Sequence, residues 1–83
     1  MKLVYFAWVR EKVGQAREDA APPAGVATVG ELIEWLKGRG EGYAEAFSDT
    51  ASVRVAVNQE YATLDQPVAA GDEIAFFPPV TGG

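Results

Sequence analysis

The sequence contains no cysteine and no histidine. Without cysteine there is no disulfide framework, no thiolate nucleophile and no zinc–thiolate site. Without histidine, the chain also lacks the usual general base near neutral pH and the commonest metal ligand. We therefore expect neither a self-contained catalytic site nor a metal site in this protein.

Long apolar runs and basic clusters are missing as well. No apolar segment approaches the roughly 20 residues of a membrane span, and the apolar N-terminus is too short for a secretory signal. The seven Lys and Arg residues are scattered among twelve Asp and Glu residues, for a net charge of −5. We expect a cytoplasmic protein with no membrane or nucleic-acid partner. The acidity suits docking onto basic protein surfaces, and solubility alone explains it equally well.

Strand-forming residues dominate the beginning of the 83-residue chain. Lys2 to Val9 is rich in Val, Tyr, Phe and Trp, and apolar side chains fall on both faces of an extended segment. We predict a strand over these residues, either central in a covered sheet or with one face kept for a partner. Gly14 to Gly25 is predicted to be a connection, within which Ala16 to Ala21 can form a second strand.

One amphipathic helix is predicted in the middle of the chain. Thr28 and Glu31 match a capping box, in which Thr is the N-cap and Glu reaches back to it. Apolar residues then recur with the spacing of one helix face, at Val29, Leu32, Ile33 and Leu36. Gly38 to Gly40 supplies the C-terminal stop, and a further helical turn is predicted at Tyr43 to Phe47.

Three further strands are predicted in the C-terminal half, at Ser52 to Val57, Tyr61 to Ala62 and Ile74 to Phe77. Turns are predicted at Asn58 to Glu60 and at Gly71 to Glu73. A hairpin, a crossover helix and further strands predict an α+β protein with a mixed sheet and one main helix packed on it, the β-grasp or ubiquitin-like fold. The predicted organisation is a β-grasp domain at residues 1–79 followed by an extended Gly-Gly tail at residues 80–83.

The predicted tail carries the chemistry that the side chains lack. Pro78 and Pro79 end the last strand and stiffen the exit, so we expect the tail to point away from the domain. Gly82 and Gly83 can thread a channel too narrow for a Cβ. The Gly83 carboxylate becomes reactive if a partner uses ATP to form an acyl-adenylate, which a sulfur donor can convert to a thiocarboxylate. The alternative is a frayed, glycine-rich end without function.

Three segments resemble the small-subunit family of molybdopterin synthase. The C-terminal run Gly71 to Gly83, GDEIAFFPPVTGG, is similar to that family's terminal signature. The segment Phe6 to Glu11, FAWVRE, resembles its N-terminal FAxVRE motif, and Val57 to Gln59 matches its central VNQ. The resemblance spans essentially the whole chain.

The resemblance implies a non-catalytic sulfur carrier in molybdenum cofactor biosynthesis. In that family an adenylating, E1-like enzyme activates the terminal glycine with ATP, and a sulfurtransferase system supplies sulfur. The thiocarboxylate then enters the large synthase subunit, in a heterotetramer of two small and two large subunits, and sulfur is transferred to precursor Z. No bound cofactor is implied for the carrier itself.

The resemblance also implies roles for individual residues. Gly83 bears the sulfur and Gly82 threads the channel beside it. Phe6, Tyr61 and Phe77 match positions of an apolar docking patch, and Arg10 matches a position that makes a polar contact there. The tail lead-in is assigned to partner binding as well, at Pro78, Pro79, Val80 and Thr81. Tyr61 departs from the family, which often has Leu at this position.

Two alternatives remain open at this point. The same tail chemistry serves a sulfur carrier for another product, such as the thiamin thiazole or thiolated tRNA. It also serves a ubiquitin-like modifier that is conjugated to lysines of other proteins through Gly83.

Overall fold

The computed structural model describes residues 1–79, which form a five-stranded mixed sheet with three α-helices. The elements are β1 (Lys2–Tyr5), α1 (Ala7–Val13), β2 (Arg17–Asp19), α2 (Val29–Lys37), α3 (Glu41–Ala46), a 3-10 turn (Thr50–Ser52), β3 (Arg54–Val57), β4 (Glu60–Ala62) and β5 (Glu73–Phe77). The strand order is β2-β1-β5-β3-β4. The central strands β1 and β5 are parallel, and every other neighbouring pair is antiparallel. This confirms the β-grasp prediction.

The sheet buries one face under the helices. Alternate residues of the three central strands point into the core, and their buried members are Leu3, Tyr5, Val55, Val57, Ile74 and Phe76. Because side chains alternate along a strand, the residues between them lie on the opposite face. That opposite face is only partly shielded by residues 1–79, and we call it the open face.

The predicted central helix is confirmed as α2. The Glu31 N–H donates to Thr28 Oγ1 at 3.2 Å, and the Glu31 carboxylate accepts the Ala27 N–H at 3.1 Å. Its four predicted core positions, Val29, Leu32, Ile33 and Leu36, are all buried. The additional turn predicted at Tyr43 to Phe47 lies within α3 and its C-cap. None of the helices within residues 1–79 has the length and apolar character needed to cross a membrane.

The strand predicted over Lys2 to Val9 is wrong beyond Tyr5, since Phe6 is already the N-cap of α1. Ala7 has a φ of 53°, and this left-handed residue turns the chain from β1 directly into α1. The helix buries Val9 and ends at Gly14, whose φ is 95° and whose N–H donates to the Arg10 carbonyl. The β propensity of these residues led to the wrong prediction, because the stability of this seven-residue helix comes from tertiary packing and not from local preference.

Helix α3 crosses the end of α1 at very short range. Gly42 faces the Lys12 carbonyl, and a Cβ at position 42 would fall well inside the van der Waals distance of that oxygen. Phe47, the residue after α3, is fully buried with its ring edge-on to Phe76, the ring centroids being 5.0 Å apart. The contact at Gly42 therefore also fixes how Phe47 supports strand β5.

Candidate functional site

The open face carries a continuous apolar surface at the end where β5 leaves the sheet. We call it the apolar patch, and its residues are Val4, Phe6, Ala56, Tyr61, Ala75 and Phe77. The register places Val4, Ala75, Ala56 and Tyr61 side by side in one row. Phe6 and Phe77 lie in the next row, nearer to Pro78. Three residues that the sequence assigned to partner binding thus share one surface.

Phe6 is presented from a firmly held backbone. Its N–H donates to the Phe76 carbonyl at 3.0 Å, which extends the parallel β1–β5 ladder by one residue. Its own carbonyl accepts the Val9 N–H at 3.1 Å and the Arg10 N–H at 3.4 Å. The side chain nevertheless remains 50% exposed. An exposed aromatic ring on a fixed backbone is suited to act as an anchor at an interface.

Phe76 and Phe77 point to opposite faces, as expected for adjacent strand residues. Phe76 is fully buried and stacks on Tyr5, with ring centroids 5.7 Å apart. Phe77 is only partly buried, and its ring lies 5.9 Å from that of Tyr61. Tyr61 is 77% exposed. One phenylalanine therefore stabilises the domain, while its neighbour helps to form the apolar patch.

The other predicted site residues lie next to the apolar patch or outside the described residues. Arg10 is an exposed residue of α1 and adjoins the patch through its backbone contact with Phe6. Pro78 and Pro79 follow β5 and are partly buried. The assignments at Val80, Thr81, Gly82 and Gly83 lie outside the described residues.

The sequence analysis missed one charged residue of this surface, Arg54. It is exposed, and the register places it directly opposite Phe77, the last residue of β5. The alternation of Val53, Val55 and Val57 with Arg54 indicated only that Arg54 faces away from the core. Its position beside Phe77 depends on the pairing of β3 with β5, which local sequence does not specify.

A separate polar cluster lies on the helix-covered side of the sheet. Glu18 accepts hydrogen bonds from the Tyr5 hydroxyl at 2.8 Å, the Tyr43 hydroxyl at 2.6 Å and Arg39 Nη1 at 2.8 Å. Burial alone raises the pKa of the Glu18 carboxyl, but the hydrogen bonds from Tyr43, Tyr5 and Arg39 outweigh it, so the pKa is lowered. Burial and Glu18 raise the pKa of Tyr5. The cluster joins β2 to the α2–α3 connection, on the opposite side of the sheet from the apolar patch.

The described residues offer few other reactive arrangements. No group of three or more Asp and Glu side chains in residues 1–79 could hold a metal ion. A groove at the Met1 end of the sheet is lined entirely by Met, Ala, Pro and Val residues, including Ala20, Pro22 and Val68. Because β1 and β5 are parallel, this groove lies at the opposite end of the sheet from Phe77. It contains no side chain able to act as nucleophile or base.

Comparison with known proteins agrees with this fold. Residues 3–83 match the ThiS family. The chain is 41% identical to the molybdopterin synthase sulfur carrier subunit of Escherichia coli (strain K12), over all of this chain and 99% of that protein. The structure of a putative molybdopterin converting factor, subunit 1, from Pyrococcus furiosus superimposes with a TM-score of 0.77 at 36% identity, covering 95% of each chain.

A protein modifier is similar in structure as well. The crystal structure of small archaeal modifier protein 1 from Haloferax volcanii gives a TM-score of 0.78 at 34% identity, covering 96% of this chain and 97% of that one. A putative molybdopterin converting factor subunit and a modifier thus share this architecture with the chain. The chain belongs to the ThiS family, and it is similar over its whole length to molybdopterin synthase sulfur carrier subunits.

Proposed function

We propose that this protein is the sulfur-carrier small subunit of molybdopterin synthase, acting in the cytoplasm as a non-catalytic donor. An adenylating partner joins the Gly83 carboxylate to AMP, with pyrophosphate leaving from ATP. A sulfurtransferase system then supplies sulfur at the sulfide oxidation level, which bonds to the acyl carbon and displaces AMP, so the carrier ends in a thiocarboxylate. The large synthase subunit receives the tail and transfers the sulfur to precursor Z.

One observation carries the proposal beyond the family relationship: an apolar patch lies at the exit of the tail. Phe6, Tyr61 and Phe77 present exposed or partly exposed rings where β5 ends. A partner that covers this patch also receives whatever follows Pro79. Binding of the partner to the apolar patch would therefore also bring it to Pro79, the residue that precedes the tail. Such an arrangement supports a carrier that works inside partner enzymes.

The proposal is tested by reconstitution. The purified chain is incubated with an adenylating enzyme, ATP and a sulfur donor, and its mass is measured before the large subunit and precursor Z are added. We expect a gain of about 16 Da, as sulfur replaces oxygen, followed by formation of molybdopterin. A loaded chain that does not support molybdopterin formation would contradict this function and favour another sulfur pathway. Gly-Gly remnants on lysines of other proteins from cells would instead indicate a modifier.

Replacing Phe77 by Ala is expected to affect partner binding more than folding. We expect affinity for the large subunit to fall by about 2 kcal/mol, roughly thirtyfold, because an aromatic anchor is lost from the interface. The free energy of unfolding should fall by less than about 1.5 kcal/mol, because the ring is only partly buried. Calorimetric titration and denaturant unfolding measure the two effects.

Phe76→Ala is the matched control for this experiment. The two positions are adjacent, but Phe76 is fully buried. Its replacement should lower the free energy of unfolding by about 3–5 kcal/mol through a core cavity. If Phe77→Ala also lost as much stability as affinity, the ring would be serving the core and not the interface.

A further inference from the structure

The open face has a different charge from the molecule as a whole. The chain carries a net charge of −5. The charged strand residues that the register assigns to the open face are three cations and two carboxylates, namely Lys2, Arg17, Arg54, Asp19 and Glu73. The face that we propose for docking is therefore locally positive, whereas the rest of the chain holds the excess of carboxylates.

The register also shows where this positive charge lies. The strand register places Lys2 opposite Asp19 on one side and Glu73 on the other, so its nearest cross-strand neighbours are carboxylates. Arg17 pairs with Val4, and Arg54 pairs with Phe77. The two cations without a carboxylate opposite them in the register thus flank the apolar patch, and Arg54 lies beside Phe77, the last residue of β5.

The Arg54 side chain is not held by other residues of the described part of the domain. It is exposed, and it forms no ion pair or side-chain hydrogen bond with any residue of 1–79. Arg39 differs, because it binds Glu18 at 2.8 Å and lies over the rings of Trp35 and Tyr43. A partner that covers Phe77 must also remove water from the neighbouring guanidinium, which is costly unless an anion compensates.

We propose that Arg54 is a specificity-determining contact, and that the large subunit places a carboxylate opposite it at the mouth of the channel that receives the tail. This inference rests on the proposed function and adds the chemistry of the partner surface. The partner's docking site is apolar at its centre and acidic where it meets Arg54. The guanidinium suits such a contact, because its donors match both oxygens of a carboxylate.

A simpler electrostatic account predicts the opposite sign. If the net charge of −5 governed docking, the partner surface would be basic, and removing a cation from the carrier would strengthen association. If Arg54 meets a carboxylate, removing the cation weakens association. Charge reversal therefore distinguishes the two accounts by the direction of the change.

The experiment compares two reversals that alter net charge equally. Arg54→Glu changes the open face, and Lys37→Glu changes the far side of the molecule, where Lys37 pairs with Glu34 on α2. Binding of the full-length chain to the large subunit is measured at low and high ionic strength, with thermal unfolding as the check on folding. We expect Arg54→Glu to weaken binding at least about tenfold at low salt, and Lys37→Glu to change it less than about twofold.

Two further variants make the result specific to charge. Arg54→Lys keeps the charge but not the paired donors, so it should retain only part of the affinity, whereas Arg54→Gln should lose more of it and reduce the dependence on salt. Arg54→Glu binding as tightly as Lys37→Glu, or more tightly than the unaltered chain, would overturn the inference and leave the carrier function standing. Failure of the unaltered chain to bind the large subunit would instead refute the proposed function.

Discussion

Adding one alanine after Gly83 is expected to abolish sulfur transfer and to leave the domain folded. The extra residue moves the terminal carboxylate by about 3.5 Å. Misplacement of a reacting group by about 1 Å can cost roughly a hundredfold in rate, so we expect at least that loss. Molybdopterin formed per unit time in the reconstituted synthase is the measurement, with the extended chain replacing the normal one.

The extended chain provides its own control, because the apolar patch is unchanged. It should unfold at the same temperature as the normal chain and should still bind the large subunit, acting as a competitive inhibitor. Deletion of Gly83 should show the same separation of docking from chemistry. If an extended chain, shown by mass to be untrimmed, supported molybdopterin formation at the normal rate, sulfur could not be delivered from the terminal carbon.

The second large effect is expected inside the domain, from Gly42→Ala. The added Cβ would collide with the Lys12 carbonyl, a backbone atom that no change of rotamer can move. Separating α3 from α1 should lower the free energy of unfolding by about 2–3 kcal/mol, despite the better helix propensity of alanine. For a domain of this size the midpoint of thermal unfolding should fall by roughly 10–20 °C.

Gly38→Ala is the matched control, because it adds the same methyl group at a helix end where there is room for it. Gly38 has helical dihedral angles, and a Cβ there would lie at an ordinary 3.5 Å from the Trp35 carbonyl oxygen. We expect stability to stay the same or to rise by up to about 1 kcal/mol, because the unfolded chain loses freedom. A Gly42→Ala variant as stable as Gly38→Ala would show that α1 and α3 can separate without loss.

Features that depend on neighbouring residues were predictable from the sequence. The Thr28 capping box and the apolar stripe specify α2, because both act within one or two turns. The strands on both sides of Asn58 and Gln59 were predicted, although β3 begins two residues later than expected and β4 one residue earlier. Both turn residues have positive φ, at 51° and 71°. The separation of Phe76 from Phe77 follows from alternation alone.

Features that depend on packing between distant segments were not predictable. The left-handed turn at Ala7 overrides the β propensity of the residues around it. Gly42 gives no local signal, since its necessity comes from Lys12 on another helix. The hydrogen bonds of Glu18 with Tyr5, Arg39 and Tyr43 join residues that are far apart in the sequence, so local sequence does not predict them. Arg54 likewise acquires its position from the pairing of β3 with β5.

The fixed backbone at Phe6 lowers the conformational entropy that is lost when a partner binds. Its N–H and C=O are both committed to hydrogen bonds within the domain, one to β5 and the other to α1. A partner that captures the ring therefore orders no main chain at this position, and only the rotation of one side chain is lost. Ordering a rotamer-rich side chain costs about 0.5–1.5 kcal/mol, and a mobile loop would cost more. Under the proposed function, this fixed backbone would let one anchor serve successive partner enzymes, because exchange of partners would require no refolding at the point of contact.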